Sequence, residues 1–161
     1  MILHHQIAHP EGPSLFRAAI FFSSPIPFSY SLDHGIDARA YFGLEGAEPS
    51  RPGVSTNVPD YLITDEMYLR AEDAVEPEES RQRPEDTYYQ MFFPDVDNVR
   101  INIPTAHVYG RQDFWRLHSK ELVKLCQDDL VIEFEHDGGH EMPRDASEEI
   151  CDIIETVYSR I

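Results

Sequence analysis

The sequence is poor in cysteine, in long apolar runs and in basic residues. Its two cysteines, Cys126 and Cys151, form no CxxC pair, so we predict no disulfide framework and expect two reduced, half-buried thiols. The longest apolar run near the start covers residues 18–22, far short of the roughly 20 apolar residues that a membrane helix needs. Lysine and arginine number 13 against 30 acidic residues, a net charge of −17. Such a surface repels nucleic acid and anionic lipid, so we expect neither as a partner.

Several chemical motifs are also missing. No serine stands in a Gly-x-Ser-x-Gly nucleophile elbow, and there is no glycine-rich phosphate loop. His4, His5 and His9 lack the spacing of a zinc site, and residues 95–98 lack the twelve-residue pattern of a calcium loop. We therefore predict no metal and no cofactor. Because no basic stretch precedes a long apolar segment at the start, we predict no secretion signal and a cytoplasmic protein.

The length of 161 residues predicts one domain with a modest core. Residues 1–8 have the apolar spacing of a helix, ended by Pro10 and Gly12. This helix lacks a first turn, which suggests that further sequence precedes it. Residues 16–24 are short, mostly apolar and stopped by Ser-Ser-Pro, which predicts a parallel strand buried on both faces.

Residues 25–102 form a long stretch rich in proline, glycine and charge, which predicts a lid-like insert. Within it we predict a helix over residues 61–71 and a mobile acidic loop over residues 72–86. Its aromatic side chains either line an acyl pocket or anchor the insert to the body, and the sequence favours neither. They are Tyr30, Tyr41, Phe42, Tyr61, Tyr88, Tyr89, Phe92 and Phe93.

From residue 102 onward the elements alternate. We predict a strand over residues 102–110, a helix over 114–126, a strand over 130–136 and a closing helix over 146–158. That order is typical of a parallel sheet covered by helices, an α/β fold with about three parallel strands in this chain. In such sheets the chemistry lies beyond the carboxyl ends of the strands.

Two loops at this edge carry candidate catalytic residues. Asp113 follows the strand that ends at Gly110, and His140 follows the next strand in the run His-Asp-Gly-Gly-His. If these strands are neighbours, an acid and an imidazole face one another, as the Ser-His-Asp triad requires. The glycines before His140 predict a tight turn with unusual backbone angles. Taken alone, Asp113 is more typical of a helix cap and His140 of an exposed turn; their combination favours the triad.

These segments resemble the fungal serine hydrolase family often called FSH, whose members are esterase- or thioesterase-like α/β-hydrolases. The resemblance rests on residues 16–25, 103–113 and 136–143 and covers essentially the whole chain. It implies that Asp113 is the triad acid and His140 the base, with an acyl ester or thioester as substrate. It also implies that the serine and the oxyanion loop precede Met1, so that this chain alone is inactive.

Two alternatives remain open. One is a non-catalytic binding or dimerisation module, whose first strand is a bare sheet edge with an exposed apolar patch near residues 16–22. The other is a hydrolase in which a substitute nucleophile such as Ser23, Ser24 or Cys126 replaces the missing serine. We expect that an active-site probe labels none of these residues.

Overall fold

A computed structural model of the chain describes residues 1–29, 31–38, 58–63 and 90–161. The chain divides into two compact units, one formed by Met1–Ile26 with Asn98–Ile161 and the other by Pro27–Asp97. The predicted single domain with an insert over residues 25–102 stays a prediction.

The described helices and strands are numbered in chain order. They are α1 (Ile2–Ala8), β1 (Ala19–Phe22), β2 (Phe28–Ser29), β3 (Ile36–Asp37), β4 (Gln90–Met91), β5 (Thr105–Gly110), α2 (Arg116–Lys124), β6 (Val131–His136) and α3 (Ser147–Ser159). Short 3-10 turns cover Asp60–Leu62, Asp128–Leu130 and Arg144–Ala146. No helix in these ranges is both long and apolar enough to cross a bilayer.

The first unit is built on a parallel sheet in the order β1-β5-β6. Strand β5 lies in the middle, and all six of its residues are buried. Its last residue, Gly110, pairs with His136 at the end of β6, so both strands finish at the same level. Helices α2 and α3 both pack against β5. The predicted α/β fold with three parallel strands is confirmed, as is the neighbouring position of the two strands that precede Asp113 and His140.

Strand β1 was predicted to be buried on both faces, and this is wrong. Its four residues are only half-buried. The reason is its place in the sheet: β1 pairs with β5 on one side, and the described residues provide no strand on the other. Just before it, Leu15 and Phe16 are 52% and 40% exposed. A continuous apolar patch here stays a prediction.

The core around β5 contains polar groups that burial keeps uncharged. The ring of His107 packs 4.9 Å from the ring of Phe21, and its Nε2 lies 3.4 Å from the Sγ of Cys126. Burial lowers the pKa of His107 to about 4 and raises that of the Cys126 thiol to about 11. The two thiols were expected to be half-buried alike, but Cys126 is buried and Cys151 exposed. The spacing of apolar residues in a helix predicts which face is buried, but it did not show that Cys151 lies off the buried face of α3.

The second unit contains a small antiparallel sheet in the order β2-β4-β3. Phe92 and Phe93 are buried there, which suits aromatics that anchor the segment, whereas Tyr61 is 48% exposed. The predicted loop over residues 72–86, most of the predicted helix over 61–71, and the aromatics Tyr30, Tyr41, Phe42, Tyr88 and Tyr89 lie outside the described residues.

Candidate active site

Asp113 ends the short turn that follows β5. Its backbone N–H donates to the carbonyl of Gly110 at 3.2 Å, and its side chain is fully buried. Oxygen Oδ1 accepts a hydrogen bond of 2.8 Å from the backbone N–H of Trp115, just before α2 begins. Asp113 therefore forms an Asx turn ahead of the helix, and this turn explains why α2 begins at Arg116, two residues later than predicted.

The structure brings His140 to this same carboxylate. Nitrogen Nδ1 of His140 lies 3.2 Å from Oδ1 and 3.2 Å from Oδ2 of Asp113. Because an ionised carboxylate only accepts hydrogen bonds, Nδ1 carries the proton and Nε2 of the neutral ring holds the free lone pair. The side chain of His140 is 46% exposed, and Nε2 has no hydrogen-bond partner among the described residues. An imidazole held in this way is oriented to accept a proton at Nε2.

The ring of Phe114 packs beside this histidine. The two ring centroids are 5.3 Å apart, with an angle of 31° between the planes. The imidazole is thus held at Nδ1 by the carboxylate and along one face by an apolar ring. Both contacts come from one stretch of chain, Asp113 and Phe114.

Backbone hydrogen bonds join the two loops that carry Asp113 and His140. The N–H of Arg111 donates to the carbonyl of His136 at 2.8 Å, and the N–H of Gln112 donates to the carbonyl of Gly138 at 3.0 Å. The loops approach so closely that a Cβ at Gly110 would lie 2.1 Å from the carbonyl oxygen of Gly138. A glycine at the end of β5 is therefore needed for the close approach that brings acid and imidazole together.

The turn before His140 differs from the prediction of unusual backbone angles. Among the described glycines only Gly35 has a positive φ, so Gly138 and Gly139 adopt conformations open to other residues. Gly138 is needed for space: a Cβ there would lie 2.8 Å from Oε1 of Glu141 and 3.0 Å from Nδ1 of His136. Crowding by neighbouring groups, not backbone strain, explains this glycine.

A charged cluster on Glu135 ties α2 to β6 beneath the two loops. Arg116 donates from Nε to Oε1 of Glu135 at 2.7 Å, and Lys120 lies 3.8 Å from Oε2. The hydrogen bond from Arg116 lowers the pKa of Glu135. Since α2 starts at the turn of Asp113 and β6 leads to the loop of His140, this cluster holds together the two elements that carry the pair.

The other candidate residues do not form a comparable arrangement. Ser24 donates its hydroxyl to the carbonyl of Phe22 at 3.1 Å, and Ser23, with a φ of 43°, directly follows β1. The raised pKa of the buried Cys126 keeps it as a thiol, which is a poor nucleophile. The rings of His5 and His9 pack against one another at a tilt, with centroids 4.9 Å apart. In the described part of the chain, no three His, Cys, Asp or Glu side chains are grouped to hold a metal ion.

A pocket of about 650 Å³ lies beside the His140 loop, between the end of β6 and the start of α3. Its charged lining residues are Arg111, Glu135, Asp137, Glu141, Arg144, Asp145 and Glu149. As far as the described residues line it, the pocket includes neither Asp113 nor His140. Its many charges make it a poor match for an acyl chain.

A family model described as serine hydrolase (FSH1) matches residues 2–150. The chain belongs to this serine hydrolase (FSH1) family. The resemblance drawn from the sequence motifs is thereby confirmed. No solved structure matches the chain at a significant level.

Several curated fungal proteins are similar to this FSH1-family chain. Hydrolase FUB4 of Gibberella moniliformis is 29% identical over 168 residues, which cover 99% of this chain and 61% of that protein. Esterase mlcF of Penicillium citrinum is 41% identical over 66 residues, 39% of this chain and 24% of that protein. Esterase FPY3 of Fusarium mangiferae is 35% identical over 57 residues, 35% of this chain and 26% of that protein. The chain thus spans about three fifths of the length of the first of these relatives.

Three residues around the pair were missed by sequence reasoning. They are Gly110, which allows the loops to meet, Phe114, which packs on His140, and His136, whose ring accepts a hydrogen bond inside the His140 loop. A signal existed for two of them, since Gly110 precedes the acid turn and His136 opens the Gly-Gly-His run. The sequence does not show which side chains or backbone groups these three residues contact.

Proposed function

We propose that this chain supplies the acid and the base of a serine hydrolase that cleaves acyl esters or thioesters. The observation that carries the proposal is the position of Nδ1 of His140, 3.2 Å from both oxygens of the buried Asp113 carboxylate. The family and the relatives named as hydrolase or esterase favour a small-molecule acyl substrate.

In the proposed reaction Nε2 of His140 accepts the proton of a serine hydroxyl as the hydroxyl attacks the acyl carbonyl. Asp113 keeps the ring oriented and stabilises the imidazolium that forms. His140 then returns the proton to the departing alcohol or thiol, and water releases the acid in a second, equivalent cycle. The chemistry needs no metal and no cofactor.

The nucleophile of this reaction lies outside the present chain, which has no Gly-x-Ser-x-Gly sequence. The chain alone is therefore expected to be inactive. This agrees with its similarity to only 61% of the length of Hydrolase FUB4. The buried, pKa-raised thiol of Cys126 also argues against a substitute nucleophile.

Labelling with a fluorophosphonate, which reacts with activated serines, tests this proposal. The 161-residue chain should not be labelled. A product of the same gene that extends upstream of Met1 through a Gly-x-Ser-x-Gly sequence should be labelled, and His140→Ala should abolish that labelling. The exposed His9 provides the matched control, because His9→Ala should leave labelling unchanged. The proposal would be contradicted if the short chain were labelled or if His140→Ala left the labelling unchanged. It would also be contradicted if no such coding sequence were found upstream.

A second candidate function is favoured by strand β1. Its outer edge has no strand partner among the described residues, and Leu15 and Phe16 before it are exposed. Such an edge pairs readily with another chain, so a homodimer formed through β1 is the alternative to catalysis. Light scattering after size-exclusion chromatography should then show a dimer that Ile20→Pro converts to a monomer. A monomer at all concentrations excludes this alternative.

A further inference from the structure

We propose that His136 is a positioning residue for His140, and that the ring of His136 carries its proton on Nε2, whereas the ring of His140 carries its proton on Nδ1. In this proposal, which rests on the proposed function, the unprotonated Nδ1 of His136 accepts the N–H of Gly138 and fixes the turn that presents His140 to Asp113.

The contact with Gly138 determines the tautomer of His136. The backbone N–H of Gly138 donates to Nδ1 of His136 at 3.1 Å. A backbone amide nitrogen only donates, so Nδ1 must offer its lone pair and the proton of the neutral ring sits on Nε2. In His140 the reverse holds, because the carboxylate of Asp113 requires a proton on Nδ1. Two histidines four residues apart thus hold opposite tautomers, each set by a partner at Nδ1.

Gly138 is held from two sides, so its orientation is fixed. Its N–H is taken by the ring of His136, and its carbonyl accepts the N–H of Gln112 at 3.0 Å. Gln112 belongs to the same turn as Asp113. The ring of His136 lies so close that a Cβ on Gly138 would be 3.0 Å from Nδ1 and 3.1 Å from Cε1. The peptide planes that lead into His140 are therefore set by one side chain and by the loop of the acid.

Burial alone does not explain a histidine at this position. His136 is 8% exposed, and its Nε2 is buried without a hydrogen-bond partner among the described residues. A buried donor without a partner is unfavourable, and an apolar side chain would avoid it. The acceptor at Nδ1 is what histidine provides here and an apolar residue does not.

Three substitutions of His136 separate positioning from packing. Asn places an oxygen acceptor where Nδ1 stands, Gln places its acceptor one bond further out, and Leu has none. Long-range 1H–15N spectra at about pH 8, where unperturbed imidazoles are neutral, report the tautomer of His140. We expect the Nδ1-bound proton of His140 to remain in the wild type and in His136→Asn. It should be lost in His136→Gln and His136→Leu, although both keep the wild-type circular dichroism spectrum.

Each outcome bears on one proposal. If the wild type lacks the proton on Nδ1 of His140, the Asp113–His140 pair fails, and the proposed function with it. If the wild type has that proton and all three variants keep it, only the positioning role of His136 is overturned. If the variants do not fold, the wild type decides: coupling across the hydrogen bond between the Gly138 amide nitrogen and Nδ1 of His136 supports the proposal, and its absence overturns it.

Discussion

Each of the two compact units contains a buried aspartate beside a histidine. In the first unit, Asp113 lies 3.2 Å from Nδ1 of His140 through both of its oxygens. In the second, Oδ1 of Asp97 lies 3.6 Å from Nδ1 of His34. Both carboxylates are buried, while His34 and His140 are 28% and 46% exposed. By residue type and burial alone, the two pairs are hard to tell apart.

The carboxylates differ in what else they bind. Asp97 accepts backbone N–H groups on both oxygens, from Gly35 at 2.9 Å and from Phe93 at 2.8 Å. Asp113 accepts one, from Trp115, and turns both oxygens toward the imidazole. Asp97 therefore joins two segments of backbone, whereas Asp113 orients a ring. The backbone bonds on both oxygens of Asp97 indicate a structural role, whereas Asp113 leaves Oδ2 to the ring of His140 alone.

Replacing Asp97 should have the largest effect on stability. Asp97→Ala removes the carboxylate that accepts the buried N–H groups of Gly35 and Phe93, which costs about 1–3 kcal/mol for each. We expect the free energy of unfolding in urea to fall by about 2–6 kcal/mol. Hydrogen exchange at these two amides should become faster. The exposed Asp95 is the matched control; an equal loss in Asp95→Ala would remove the distinction between the pairs.

The buried His107 should have the largest effect on how stability changes in acid. Its effect must therefore be measured apart from any effect of the two aspartate–histidine pairs. Its pKa is lowered to about 4 by burial, whereas a histidine in the unfolded chain protonates near 6.5. The folded chain thus binds fewer protons between these values. Stability is complete above about pH 6.5 and falls by about 3 kcal/mol as the pH drops to about 4.

Urea unfolding between pH 4 and 7 measures this effect, and His107→Leu should remove most of the slope. The exposed His9 again serves as control, since His9→Leu should leave the slope in place. A slope that survives in His107→Leu would contradict the assignment of the acid response to His107.

Gly110→Ala tests whether close approach of the loops sets apart the Asp113–His140 pair. The added Cβ would meet the carbonyl oxygens of Gly138 and Gly139 at 2.1 and 2.4 Å, so backbone must move. We expect a loss of about 1–3 kcal/mol in unfolding free energy, together with loss of the Nδ1-bound proton of His140. In Gly139→Ala the nearest atom is 3.9 Å away, so both readouts should stay at wild-type values. Similar behaviour of the two variants would show that the contact at Gly110 is unimportant.

Asp113→Asn should change stability least and chemistry most. The amide oxygen still accepts the N–H of Trp115 and the side chain still hydrogen-bonds His140, so the loss should be below about 1 kcal/mol. The NH2 group then faces His140 and donates to Nδ1, which moves the ring proton to Nε2. NMR of His140 measures that shift, while Asp97→Asn should mainly lose stability. A large stability loss in Asp113→Asn would make the two aspartates alike.

The sequence predicted the central sheet well because its signals are local. The order of apolar strand-like runs and amphipathic helix-like runs predicted β5, α2, β6 and α3. Because parallel strands end at the same edge of a sheet, it also predicted that Asp113 and His140 lie at one edge. The catalytic roles of those two residues stay predictions.

Features that depend on neighbours distant in sequence were not predictable. The half-burial of β1 depends on which strands flank it. The role of Asp97 depends on Gly35, which lies 62 residues away. The ring of His136 is close in sequence to Gly138, but their hydrogen bond depends on a turn fixed by Gln112 from another loop.

Strand order also determines how firmly each partner is anchored. The acid follows β5, which is flanked on both sides, while the imidazole follows β6, which pairs with β5 alone among the described strands. Fraying of a sheet proceeds from its outer strands inward. On gentle heating the imidazole should therefore come away while the carboxylate is still in place, and the two loops would part reversibly before the molecule melts.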